Sequence, residues 1–377
     1  MALILSQIKQ HFKSITFIIF CIVVVVFFVT QFHGSDLDLL KPPLEEDGYY
    51  GVTEVINELD EMTYGYEKMY FTLKDEEVAS YPIGVYKGIK MSPDDLDYLQ
   101  AFMVEMAPNG KIEGPNDIGI SYDRYKTFLL EFDERMGGHT VFGPEHYRVY
   151  RDLTYDEALN EYNTLTQGDY SNAFARLAAD YLGITAALFI PFLSAFVLLK
   201  DKREHTEDLI FSSPISSMKY VVSRYISLLC SIMTVYLVIG LLETVLFAVL
   251  SNKYGFNFEY LAFIKHILIW IFPTIMMVVA IPMLISVVFS NAIIALVIQF
   301  IMSYGMLSNI PLEGDVAWWH LFIRFNELGA SDLFESIKIG LYTNRLLVVC
   351  LSLLLVSVTT FVWKTKRNKI LEKGKLA

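Results

Sequence analysis

The sequence predicts an α-helical membrane protein: six transmembrane helices, both termini cytoplasmic, plus a mostly helical α+β extracellular domain. Three observations predict it. The 377 residues are 54% hydrophobic and only 19% charged, against roughly 25% in a soluble globular chain, and mean hydropathy is +0.41. A single soluble domain cannot hide that much apolar surface. The formal net charge of −12 is unevenly spread: residues 33–176 carry 29 Asp and Glu against 12 Lys and Arg, a net −17, which leaves +5 for the rest. Six further runs are apolar and approach the roughly 20 helical residues that cross a bilayer core. The apolar content excludes a disordered chain. A pI near 5.1 argues against a nucleic-acid partner, which needs a basic face for phosphates.

The apolar runs are 15–32, 177–199, 225–250, 261–289, 292–310 and 346–363. The first follows Lys9 and Lys13. No A-x-A-like site follows it, so it reads as a retained anchor rather than a signal peptide. Orientation follows from Lys and Arg, which favour the cytoplasmic side. They cluster in the N-terminal stub, in 200–224 (Lys200, Lys202, Arg203, Lys219, Arg224) and in the tail (Lys364, Lys366, Arg367, Lys369, Lys373, Lys375). Six crossings put these three regions on one side. The organisation is then a stub and first span at 1–32, an extracellular domain at 33–176, a second span at 177–199 and a cytoplasmic loop at 200–224. Spans three to five fill 225–310, re-entrant or surface helices 311–345, and the last span with its basic tail 346–377.

The acidic block reads as folded. Ser92 is a helix N-cap followed by Pro93 at the first helical position, and Leu96, Leu99, Phe102, Met103 and Met106 recur at helical spacing. A second helix over 121–136 is closed by Gly137 and Gly138. A third opens at Thr154 and ends near Gly168, and a fourth starts at Ser171 and runs into the second span. Segments 69–73 and 83–89 are expected to pair as a hairpin. His139 and His146 lie beside Glu145, but no H-E-x-x-H run exists, so surface histidines are the expected reading and no metal site is assigned.

The most informative stretch is "KDKREHTEDLIFSSPISSMKYVVSRYIS" at 200–227. It is too polar to span. A short amphipathic helix is expected from about Asp201 to Phe211, then a break at Ser212, Ser213 and Pro214, and then a second helix that enters the third span. The apolar patch Leu209, Ile210 and Phe211 beside mixed charge suits a membrane-surface segment or a docking surface.

Arg203, Glu204, Leu209, Pro214, Ile215 and Ser216 resemble the signature between spans two and three of type-2 ABC exporter permeases. Thr206 and the intervals are slightly shifted, and Ser223–Arg224 replaces that family's Gly-Lys. The size of the block between the first two spans resembles the subgroup with a large first external loop, as in Gram-positive bacteria. The resemblance implies a multi-pass protein of the bacterial plasma membrane that works as a homodimer or with a sister permease. Cytosolic ABC ATPase subunits would clamp the loop, with Arg203, Glu204, Glu207, Phe211 and Pro214 as contacts. ATP and Mg would be bound by those partners, with no cofactor in this chain. No G-x-x-x-x-G-K-[ST] sequence occurs here, so any ATP-driven role needs a partner and the chain itself is not an enzyme. An amphiphilic export substrate, a peptide antibiotic or lipid-like compound, is expected by analogy. The competing reading is a non-transporting sensor or scaffold, its external domain binding ligand and its basic tail meeting membrane lipids or partners.

Polar groups inside the spans are functional candidates. Glu243 and Lys265 are expected at similar depth and could pair or snorkel to the outer interface. Gln299 is expected to hydrogen-bond a neighbouring helix. Pro191, Pro273 and Pro282 should bend their helices. Trp318 and Trp319 read as interfacial anchors. Cys21, Cys230 and Cys350 all lie in apolar runs and read as small buried hydrophobes.

Overall fold

The computed structural model of the chain describes residues 2–33, 41–55, 57–82, 86–112, 114–167, 170–204, 206–308, 316–326, 328 and 331–375. Part of the expected 83–89 strand, the end of the expected fifth span and the start of the 311–345 segment lie outside them. The chain divides into two compact units, one of Pro43–Asn160 and one of Met1–Pro42 with Glu161–Ala377.

The larger unit is helical. Helix α1 (Ala2–Phe12) is followed by α2 (Ile15–Phe28), which a π turn extends to His33. Phe17, Phe20, Val24, Phe28 and Phe32 recur every three or four residues and are buried, whereas Ile15, Ile18, Ile19 and Ile22 are exposed. An all-round apolar helix with one buried stripe suits a hydrocarbon surround. Helices α7 (Tyr170–Phe189) and α8 (Pro191–Val197) meet at a 42° bend. Pro191 brings no N–H to the ladder there. Two short helices, α9 (Lys200–Arg203) and α10 (Glu207–Ser212), lead to α11 (Ser217–Tyr254). Ser216 caps α11 by accepting from the Lys219 N–H, and Gly255 closes it at φ 81°.

Helix α12 (Ala262–His266) passes through a π turn into α13 (Phe272–Phe289), with Pro273 at its start and Pro282 inside. Next come α14 (Ala292–Ser308) and α15 (Ser331–Lys375). Among the described residues, Ile15–His33, Ser217–Tyr254, Ala262–Phe289 and Leu333–Glu372 are long and apolar enough to cross a membrane. The bent α7–α8 pair makes a fifth candidate, and α14 is a shorter apolar helix. Ala262–Phe289 is the centre of the bundle, 67% buried where the first and last candidates are 28%.

Helix α11 is the helix expected after the 212–214 break, and Tyr220 and Arg224 in its first turns find partners inside the protein. The helix expected from Asp201 to Phe211 is instead two short ones, α9 and α10. Helix α15 absorbs residues 331–345, which were expected to be separate surface helices. The buried Asn344 and Arg345 explain it: Asn344 donates to the carbonyls of Ala317 (2.7 Å) and His320 (2.9 Å). Arg345 donates to Trp270 O (3.2 Å), Thr274 Oγ1 (2.7 Å), His320 O (3.2 Å) and Leu321 O (3.2 Å). Polar groups satisfied by neighbours let a polar stretch stay helical. Cys230 and Cys350 are exposed on their helices rather than buried.

The smaller unit packs α3 (Glu58–Asp75), α4 (Pro93–Met106) and α5 (Tyr122–Arg135) around a methionine and aromatic core. Asn57, Ser92 and Ser121 cap these helices through their side chains. Strand β1 (Val52–Glu54) pairs antiparallel with β4 (Tyr150–Asp152), joining the two ends of the unit. Strands β2 (Glu77–Ser80) and β3 (Lys87–Lys90) form a second ladder, Glu77 opposite Lys90. Segment 69–73, expected as a strand, lies within α3. The reason is a helical stripe, Met62, Gly65 and Met69, that faces the core. A Cβ at Gly65 would collide with the Tyr125 hydroxyl, which donates to Glu61 O (3.1 Å) and meets the Tyr147 hydroxyl. Helix α6 (Tyr155–Gln167) opens on Thr154, whose hydroxyl and N–H both lie 3.0 Å from the Glu157 carboxylate.

Candidate functional site

The 200–216 loop is fastened to the bundle from beneath. Asp201 is buried and accepts from Arg224 Nη2 at 3.0 and 3.2 Å and from the Tyr220 hydroxyl. Residues 220 and 224 are one helical turn apart on α11, so both reach the same carboxylate. Trp363 of α15 stacks on Tyr220 (4.7 Å between centroids) and meets Phe211 edge-on (5.2 Å).

One turn beyond Trp363, Arg367 spreads its guanidinium over three alternate carbonyls of the loop. Nε donates to Phe211 (2.9 Å), Nη2 to Ser213 (2.7 Å) and Nη1 to Ile215 (2.6 Å). A six-residue helix leaves most of its carbonyls without an intrahelical donor, and Pro214 has no N–H to offer. The planar fork of an arginine meets this need; an ammonium is a point charge. Its neighbour Lys366 donates to Val288 O (3.2 Å), Ser290 Oγ (2.7 Å) and Val287 O. These close the C-terminus of α13, where Ser290 sits at φ 52°. Consecutive cations of one helix thus hold two separate turns.

The outward side of the loop is polar with one apolar point. Lys202, Arg203, Glu204, Ser212 and Pro214 are exposed, and Leu209 is 70% exposed. Of the expected contact residues, Arg203, Glu204 and Pro214 lie on this side. Glu207 opens α10, and its side chain lies outside the described residues. Phe211 points the other way, 3% exposed: it fills the space beside Trp363 and offers no ring to a partner. Leu209 takes the outward apolar place. The sequence put Leu209 and Phe211 in one apolar patch without separating their directions, and it missed the Trp363–Arg367 fastening, for which its one signal was basic charge in the tail.

Helix α1 lies along the first turns of α11. Gln7 Oε1 accepts from Ser227 Oγ (2.9 Å), and His11 Nδ1 is 3.1 Å from Ser231 Oγ. Burial, reinforced by the nearby Arg224 charge, holds His11 down to a pKa of about 4.

Contacts at the opposite ends of these helices form a second polar set. Glu243 pairs with His33 at 3.0 and 3.1 Å, not with Lys265, which lies 3.5 Å from Glu259. Asp180 pairs with Arg324, and Asn172 donates to Glu259 at 2.5 Å. Gln299 donates to Ser303 on its own helix (3.1 Å) rather than to a neighbouring one. Trp318 and Trp319 are exposed. Among the described residues no three His, Cys, Asp or Glu side chains converge on a metal site. His139 faces Glu145 at 3.7 Å, and His146 packs on Tyr81.

The sequence model of the family described as "ABC-2 family transporter protein" matches residues 1–325. No curated protein and no solved structure matches the chain.

Proposed function

Since the chain belongs to the ABC-2 transporter family, whose members are the transmembrane parts of ABC transporters working with a cytosolic ABC ATPase, we propose that it is an exporter subunit driven through the 200–216 loop. The observation that carries this is the two-sidedness of the loop. Its outward side offers Arg203, Glu204, Leu209 and Pro214 to a partner, while its backbone and Phe211 are fixed to the bundle. A loop so held passes on a push instead of absorbing it. The polar contacts also sort into two sets. Asp201 on α9, Arg224 on α11 and Lys366 and Arg367 on α15 form one; Asn172, Asp180, Glu243, Glu259, Arg324 and Arg345 belong to the other. This supports six crossings with α14 as the fifth, both termini beside the loop in the cytoplasm, and Pro43–Asn160 outside.

In this reading two such chains, or one and a sister permease, enclose the pathway in a bacterial plasma membrane. The substrate class that suits it is an amphiphile, a peptide antibiotic or lipid-like molecule. Residues 33–176 carry a net −17, which attracts cationic groups at long range. The test is purification in mild detergent, for the wild-type chain and for one with residues 203–217 scrambled. A stoichiometric ATPase that accompanies the first and not the second is expected. A folded wild-type chain that brings no ATPase under several conditions would overturn the reading in favour of a sensor or scaffold.

A further inference from the structure

We propose that Arg367 is a positioning residue that makes the end of α15 a lever, so that movement of the 200–216 loop is carried into α15 and the α13–α14 turn together. The proposal rests on the loop being the ATPase-driven element. It comes from the division of labour between neighbouring cations. Three donors of Arg367 hold the carbonyls of Phe211, Ser213 and Ile215. Lys366, the preceding residue, holds Val288 and Ser290 at the other turn. Trp363, one turn earlier, packs on both the loop (Phe211) and α11 (Tyr220).

These contacts reach backbone carbonyls, which cannot rotate away as side chains do. A displacement of the loop therefore either breaks three charge-assisted hydrogen bonds at once or moves α15. Helix α15 is continuous from Ser331 to Lys375. Its other half holds Trp270, Thr274, His320 and Leu321 through Arg345. A single rigid rod thus runs from the loop to the far polar set. Between Arg345 and Arg367 it spans about 33 Å at 1.5 Å per residue, close to the thickness of a bilayer core. Helix α13, part of the 67% buried Ala262–Phe289 segment, moves with it through Lys366.

The test uses the full chain purified with its ATPase, Cys21, Cys230 and Cys350 replaced by serine, and spin labels at Ser212→Cys and Asn368→Cys. In the wild-type background the distance between labels should stay the same in nucleotide-free and ATP-trapped complexes. In Arg367→Ala it should differ between the two states. Stimulation of the ATPase by the membrane subunit should fall by about tenfold, within the range of measured coupling effects, while the complex still assembles. Arg367→Lys keeps the charge and loses the fork, so it should show the same loss and serves where the alanine variant folds poorly. A wild-type distance that changes with nucleotide, or full stimulation in both variants, would overturn the lever. Absence of an ATPase from the wild-type preparation would instead overturn the reading beneath it.

Discussion

Lys68 shows at the residue scale how burial changes chemistry in the smaller unit. Its ammonium donates to the carbonyls of Val141 (3.1 Å) and Arg148 (3.0 Å) and lies over the Tyr147 ring (4.6 Å). No carboxylate is among these partners. Burial, with a smaller contribution from the Arg148 charge, pulls its pKa from 10.5 to about 8. The folded chain then loses this proton at lower pH than the unfolded chain. Between pH 8 and 10.5 the unfolded state binds more protons, so stability rises with pH in that window. Tyr125 and Tyr147 act in the opposite sense above pH 10, because burial raises their pKa values. Thermal unfolding of the whole chain, followed by near-ultraviolet circular dichroism, should therefore show this unit gaining stability from pH 8 toward 10. Lys68→Met should flatten that gain. A slope unchanged by the substitution would remove Lys68 as its source. The sequence placed Lys68 in an acidic block and gave no reason to separate it from the other lysines.

At the scale of elements, α1 is the clearest addition to what composition foretells. Its eleven residues are too few to be a stable helix alone. What holds them is the docking of Gln7 and His11 onto Ser227 and Ser231. Gln7→Ala removes one buried acceptor and should cost about 0.5–1.5 kcal/mol. Hydrogen exchange over residues 2–12 should accelerate by about tenfold, the equivalent of about 1.4 kcal/mol, with exchange in α13 unchanged. Equal acceleration in both helices would mean that α1 is integral to the core rather than docked on it. Helix α10 makes the converse point. Six residues are under two turns, too short for periodicity to decide which of Leu209 and Phe211 faces inward. Trp363, some 150 residues later in the chain, decides it.

For the whole molecule, the two sets of polar contacts make a topological prediction. In a cysteine-free background, Ser92→Cys should react with a membrane-impermeant maleimide on intact cells, and Ser212→Cys only after permeabilisation. The reverse pattern would invert the protein and move the 200–216 loop away from any cytosolic ATPase. Both positions are exposed, so access rather than burial is what the labels report.

The sequence by itself determined the membrane-protein class, the six apolar runs, the polar loop between the second and third, and the caps at Ser92 and Thr154. Each is a local sum: hydropathy over about 20 residues, or a side chain reaching an N–H three positions on. Only the tertiary structure decided the partners of buried polar groups. Glu243 took His33 rather than Lys265, Arg345 took carbonyls from two segments, and Arg367 took the loop. Such choices depend on which groups share a small, poorly solvated volume, where an unpaired charge is costly. Residues 210 positions apart meet in the His33–Glu243 pair, and neither hydropathy nor periodicity carries information over that separation.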